Sequence, residues 1–162
     1  MNIRDFKPFT QVSALTLGGG GIGQVWGETT KEEAIQTVHT ALDHGINHFD
    51  VAPMYGRGEA ERVVGESLHG KNTDDLFFTT KCQLGTLPDS EVYDKLNTSL
   101  TESLDNLGLE KVNLFLLHSQ LIEDNFKLFK FDELRQKSTT TLSCFFNSAI
   151  PAFERLQKEG KI

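Results

Sequence analysis

Three short apolar runs, Ile46 to Asp50, Leu76 to Lys81 and Val112 to His118, each end on an ionisable side chain, and helix-like segments separate them. This alternation narrows the fold sharply. Strands joined through amphipathic helices make right-handed crossovers and a parallel sheet. The runs are apolar on both faces, as in a sheet covered by helices or closed into a barrel. Parallel neighbours finish at the same end of the sheet. An acid, a base and an imidazole, Asp50, Lys81 and His118, therefore converge there, with Tyr55 just past the first run.

The intervening segments carry their own start and stop signals. Thr30 with Glu33 makes a capping box, after which Ala34, Ile35, Val38, Ala41 and Leu42 share one helical face before Gly45. A second helix presents Ala60, Val63, Val64 and Leu68 before Gly70. A third, from about Ser90, carries Val92, Leu96, Leu100, Leu104 and Leu107 up to Gly108. Upstream, Phe9 to Gly18 reads as a hairpin leading into a first strand, Ala14 to Leu17. The segment from Ser119 to Ser148 breaks the rhythm. Its Phe126, Phe129 and Phe131, then Ser138 to Thr141, then Phe145 and Phe146 follow neither period. It is expected to be a long excursion above the sheet with a short helix near Phe131 to Lys137, its phenylalanines favouring a packed lid over disorder. Pro151, Phe153 and Leu156, with a stop at Gly160, resume a helix. One domain over residues 1 to 162 is expected, with four βα units behind an N-terminal hairpin.

Composition removes several functional classes. A net charge of -7 argues against a nucleic-acid partner, because affinity for phosphate backbones comes largely from Lys and Arg. Arg4, Asp5 and Lys7 interrupt the N-terminus and no stretch approaches about 18 apolar residues, so neither a signal peptide nor a membrane span is expected, and the expected location is the cytoplasm. Cys82 and Cys144 are too few and too far apart for a metal motif or a disulfide framework. No metal site is expected. Cys82, beside Lys81, is a candidate for mild thiol activation.

Gly18, Gly20 and Gly23 match the spacing of a dinucleotide-binding fingerprint, but the capping signal at Thr30 puts the helix start too far downstream. The favoured reading is a strand end where backbone approaches something closely, and the glycines remain candidates to border a cofactor. Gly56-Arg57-Gly58 lacks the lysine of a phosphate-cradling loop and reads as a tight turn before a helix.

The four converging groups suit proton transfer to a carbonyl oxygen. A free phenol releases its proton near pH 10, and a neighbouring ammonium favours the phenolate. Lys81 supplies that charge, Asp50 can hold Lys81 as an ion pair, and His118 can donate a hydrogen bond to the substrate oxygen. Each role is required when hydride is added to a carbonyl carbon, since the oxygen must be polarised and then protonated. Singly, each residue has an ordinary explanation: a structural ion pair, a surface aromatic, a histidine satisfied by backbone. Their joint placement favours chemistry.

The run from Gly45 to Gly56 (GINHFDVAPMYG) continues through Gly58, Glu59, Glu61, Gly65 and Leu68. With Thr80-Lys81, Leu116-Leu117-His118 and the closing Leu156 to Ile162, it resembles the aldo-keto reductases. The resemblance covers the chain except Ser119 to Ser148. It implies an α/β (β/α)8 barrel of the TIM type with its active site at the C-terminal ends of the strands, and NADPH-dependent reduction of aldehydes or ketones, run in reverse as oxidation of alcohols or sugars, NAD(H) being the alternative carrier. It also implies Tyr55 as proton donor, Lys81 as its tuner, Asp50 paired with Lys81 near the nicotinamide ribose, and His118 orienting the substrate carbonyl. The loop of Gly21, Ile22 and Trp26 would border cofactor and substrate, and the sugar-active branches look nearest.

One departure stands out. Such a barrel needs about 250 residues, whereas four βα units are present, and the family's grip on the adenosine phosphate and pyrophosphate comes from the second half. The proton apparatus is complete and the cofactor site is not. The expected explanation is a fragment of a longer enzyme. Two others stay open: a half that pairs with its copy through exposed edge strands, and a non-catalytic interaction subunit.

Overall fold

The computed structural model describes residues 1–126 and 133–162. Phe129 and Phe131, and the start of the helix expected near Phe131 to Lys137, lie outside the described residues. The chain opens with an antiparallel hairpin, β1 (Ile3–Phe6) and β2 (Thr10–Ser13). A four-stranded parallel sheet follows in sequential order: β3 (Leu17–Gly18), β4 (His48–Asp50), β5 (Phe77–Cys82) and β6 (Leu114–Leu117). A one-turn helix α1 (Gly19–Ile22) and then α2 (Lys31–Asp43), α3 (Glu59–Leu68) and α4 (Asp89–Leu107) fill the crossovers.

Local chemistry explains the boundaries. The capping box at Thr30 forms, with the Thr30 side chain accepting from Glu33 N and the Glu33 side chain from Thr30 N, and it starts α2 as the sequence indicated. Gly108 ends α4 in the left-handed conformation at φ 67°, where a side chain would be strained. The first strand begins later than the sequence suggested, at Leu17 rather than Ala14. Ser13 Oγ bonds to Leu15 O, and Ser13 exchanges two further bonds with Asn47, so Ala14 to Thr16 are spent on a connection.

The core lies between the sheet and its helices. Phe49 and Phe78 from adjacent strands, stacked at 5.7 Å, meet Val63 and Val64 of α3 and Leu96 and Leu100 of α4. Each such side chain, fully buried, contributes roughly 1.5–3 kcal/mol of transfer free energy. At the strand starts, Phe6 and Phe9 pack edge-on against Phe77, so the hairpin covers that end of the sheet. The opposite end, where the strands finish, is left to the loops.

The excursion contains more regular structure than its sequence suggested. β7 (Gln120–Ile122) pairs in parallel with β8 (Thr139–Thr141), and α5 (Glu133–Ser138) precedes β8. The pair is fastened to the β5–α4 connection: Thr140 Oγ1 donates to Gly85 O, Thr86 Oγ1 to Thr139 O, and Leu84 N to Ser119 Oγ. A helix then starts at Leu142, not Pro151. α6 (Leu142–Cys144) runs through a π-helical turn, Phe145–Ala149, into α7 (Ile150–Lys158), with the Thr141 hydroxyl accepting from Cys144 N. A proline within a helix cannot donate to the preceding turn, and the wider π turn just before Pro151 accommodates that loss.

Candidate active site

The four expected residues come together at the finishing ends of the strands. Asp50 closes β4, and Val51 and Ala52 after it are fully buried, Val51 N donating to Thr79 O. The chain then turns from Pro53 to Gly58, with Gly58 N donating to Pro53 O and Ala60 N to Tyr55 O, which fixes Tyr55 at the rim immediately before α3. Lys81 is the penultimate residue of β5. Strand alternation turns it and Thr79 to one face and Thr80 to the helices. His118 follows β6, its N–H donating to Cys82 O at 2.8 Å.

Lys81 is the centre of the arrangement. Its side chain is only 10 % exposed, and the ammonium donates to the Asp50 carboxylate and to Val51 O at 2.8 Å. The same nitrogen lies 5.0 Å from the centroid of the Tyr55 ring. His118 meets that ring edge-on at 6.0 Å and 89°. The phenol is thus bounded by a cation and an imidazole. Burial, followed by the Lys81 charge, pushes His118 below its ordinary value against an opposing effect of Asp50, so a neutral imidazole with one N–H to donate is favoured. Asp50 remains 40 % exposed and keeps acceptor capacity for a ligand.

The glycine run serves this turn. A Cβ at Gly56 would lie 2.2 Å from Gly23 O, and one at Gly23 would lie 2.8 Å from Tyr55 O. Backbone therefore packs on backbone, and the loop after β3 holds the Tyr55 turn from the side, the close approach inferred from sequence. The run opens only the single turn α1, with the long helix starting at Lys31. Gly21 is exposed and its carbonyl accepts from Thr29 Oγ1. Ile22 is 4 % exposed and belongs to the hydrophobic core, so its side chain packs inward and does not face a ligand. Trp26 is 81 % exposed, its ring lying against Gly20. Among the described residues no hydrogen bond or ring contact joins it to the four central groups.

Two features escaped the sequence reading. His48, two residues before Asp50 on the same face, is hydrogen-bonded on both ring nitrogens, to Thr16 Oγ1 at 3.0 Å and Thr79 Oγ1 at 2.9 Å. Burial lowers its pKa, with Asp50 opposing and Lys81 assisting. The period-two placement of His48 beneath Asp50 was the available signal. The second is a hollow of about 230 Å3 beside the site, bordered by Pro53, Met54, Lys81, Gln83 and His118. A larger apolar groove of about 410 Å3 lies away from these groups, along the outer edge of β6. Cys82 corrects an expectation. It is 2 % exposed and burial pushes its thiol up, the opposite of activation, because its side chain faces the helices rather than Lys81's side of the strand. Among the described residues no helix is long and apolar enough to cross a membrane, and no cluster of His, Cys, Asp and Glu is placed to hold a metal.

Comparison with known proteins identifies the family and the fold. The sequence model of the Aldo/keto reductase family matches residues 14–162. The chain belongs to this family. It is 31% identical over 153 residues to an L-galactose dehydrogenase of Arabidopsis thaliana, covering 93% of the chain and 43% of that protein. With a D-threo-aldose 1-dehydrogenase of Pseudomonas sp it shares 27% over 175 residues, covering 93% and 48%. An aldo-keto reductase from Bacillus halodurans, solved in a holo form, superposes with a TM-score of 0.74 at 24% identity, over 100% of this chain and 48% of the other. One from Klebsiella pneumoniae, solved with NADPH, superposes at 0.67 and 21%, again over 100% and 48%. The chain thus spans about half the length of these relatives. Its βα architecture is of the TIM-barrel type seen in these structural neighbours.

Proposed function

We propose that this aldo/keto reductase uses Tyr55 as the proton donor in nicotinamide-dependent reduction of a small aldehyde, ketone or sugar, and as the proton acceptor in the reverse oxidation. The observation that carries the reading is the Lys81 ammonium, lodged between Asp50 and the Tyr55 ring with His118 at the ring's edge. As charge develops on a carbonyl oxygen, a positioned N–H of His118 stabilises it and the phenol delivers the proton. The ammonium then faces the phenolate that remains. Asp50 holds the Lys81 side chain in place.

NADPH, the preferred carrier in this reading with NADH as the alternative, supplies the hydride when bound. The residues fit one part of it: Asp50, partly exposed at the strand end, can accept from a ribose hydroxyl, and the exposed main chain at Gly21, beside the buried Ile22, can border the nicotinamide side. Trp26, at the rim of the same loop, is proposed to line the substrate entrance with His118. The names of the relatives, an L-galactose and an aldose dehydrogenase, favour a sugar or a sugar-like hydroxyaldehyde as substrate. A cytoplasmic location accords with this reading.

The direct test is titration with NADPH while following the fluorescence of Trp26, the single tryptophan. Saturable quenching, tighter for NADPH than for NADH, is expected. No saturable change would contradict cofactor binding by this chain and would favour a non-catalytic role for the fold.

A further inference from the structure

Glu61 is fully buried on the face of α3 that otherwise presents Ala60, Val63, Val64 and Leu68. A carboxylate in such surroundings is tolerated only when its oxygens are hydrogen-bonded. Both are, and by neutral groups. Oε1 accepts from Thr80 Oγ1 at 2.7 Å and Oε2 accepts from Asn106 Nδ2 at 3.1 Å. An apolar side chain of similar size would fill this space without the cost of desolvating a charge, so packing alone does not account for a carboxylate here.

What the bond to Thr80 connects is informative. Glu61 lies in the first turn of α3, directly after the Pro53 to Gly58 turn, and Ala60 N bonds back to Tyr55 O. Thr80 immediately precedes Lys81 on β5, and alternation sends the two side chains to opposite faces of the sheet. One carboxylate–hydroxyl bond therefore fastens the helix that follows Tyr55 to the strand that presents Lys81. We infer that Glu61 is a positioning residue that sets the spacing between the Lys81 ammonium and the Tyr55 phenol through its bond to Thr80. The inference rests on the proposed joint action of Lys81 and Tyr55, and its test is independent of turnover.

The readout is the nuclear Overhauser cross-peak between the side-chain methylene protons next to the Lys81 ammonium and the Tyr55 ring protons, in the full chain with lysine and tyrosine selectively labelled. The wild-type protein shows it. Glu61→Ala and Thr80→Val lose it. Glu61→Gln restores it, because its amide oxygen accepts from Thr80 and its nitrogen donates to Asn106 once that amide turns over. Val64→Ala, a cavity in the same helix with no bond to β5, lowers stability and keeps it. If Glu61→Ala does not fold, the contrast between Thr80→Val and Val64→Ala decides. A missing wild-type peak, a peak retained in Thr80→Val, or one lost equally in Val64→Ala overturns the inference. Should Tyr55→Phe prove catalytically competent, the proton-donor reading falls while the cross-peaks still decide the positioning role.

Discussion

Replacing Lys81 with methionine removes the ammonium while keeping an unbranched side chain in the same space. Its nitrogen is 5.0 Å from the Tyr55 ring centroid and its side chain is nearly buried. At an effective dielectric near 20, two unit charges about 5 Å apart interact by about 3.3 kcal/mol. At 1.36 kcal/mol per decade, losing that stabilisation of a developing phenolate slows the proton-transfer step by about two orders of magnitude. Stability changes less. Val51 O loses its donor at a cost of about 1–3 kcal/mol, while Asp50, 40 % exposed, can be rehydrated. The assay is initial-rate loss of NADPH absorbance with small aldehydes and aldoses, beside NADPH titration by Trp26 fluorescence, both well below the unfolding transition. The expected result is a kcat reduced about a hundredfold with cofactor affinity little changed. A variant within about threefold of wild type would refute the electrostatic role assigned to Lys81.

Other perturbations probe the scaffold. Gly56→Ala places a methyl group 2.2 Å from Gly23 O at φ 66°, so a large loss of thermal stability is expected, with displacement of the Tyr55 turn; an unchanged melting curve would mean the two loops are not in contact. His48 titrates below its ordinary value in the folded chain, so the unfolded chain binds the proton first on acidification. Stability is therefore full above about pH 6.5 and falls as the pH drops below it. His48→Gln should flatten that slope in melting experiments from neutral to mildly acidic pH, and parallel slopes would contradict the assignment. The outer edges of β3 and β6 have no strand partner among the described residues, so copies of the chain are expected to associate at micromolar concentration; a strictly monomeric sedimentation profile would count against it.

The sheet was legible because apolar runs ending in Asp50, Lys81 and His118 alternate with segments whose starts and stops are chemically explicit, such as Thr30 with Glu33 and Gly108. The site was legible for the same reason: parallel strands must bring their final residues to one end. Less visible was everything that depends on partners distant in sequence. The burial of Ile22 depends on which way a single helical turn faces. Cys82 lies beside Lys81 in sequence but on the opposite face of the strand. Thr139 to Thr141 pair with Gln120 to Ile122 through a parallel ladder only three residues long, which is too short to leave a periodicity to read. Leu142 to Ala149 are helical despite Ser143, Asn147 and Ser148, since the Thr141 cap and the packing of Cys144 and Ala149 override weak local propensity.

The central claim, that Tyr55 delivers the proton in a nicotinamide-dependent carbonyl reduction, is met most directly by Tyr55→Phe. The account predicts that the wild-type chain consumes NADPH when an aldehyde is added, and that the phenylalanine variant does not while binding NADPH with nearly unchanged affinity. Turnover retained in the variant, or equal loss of turnover and binding, would contradict it.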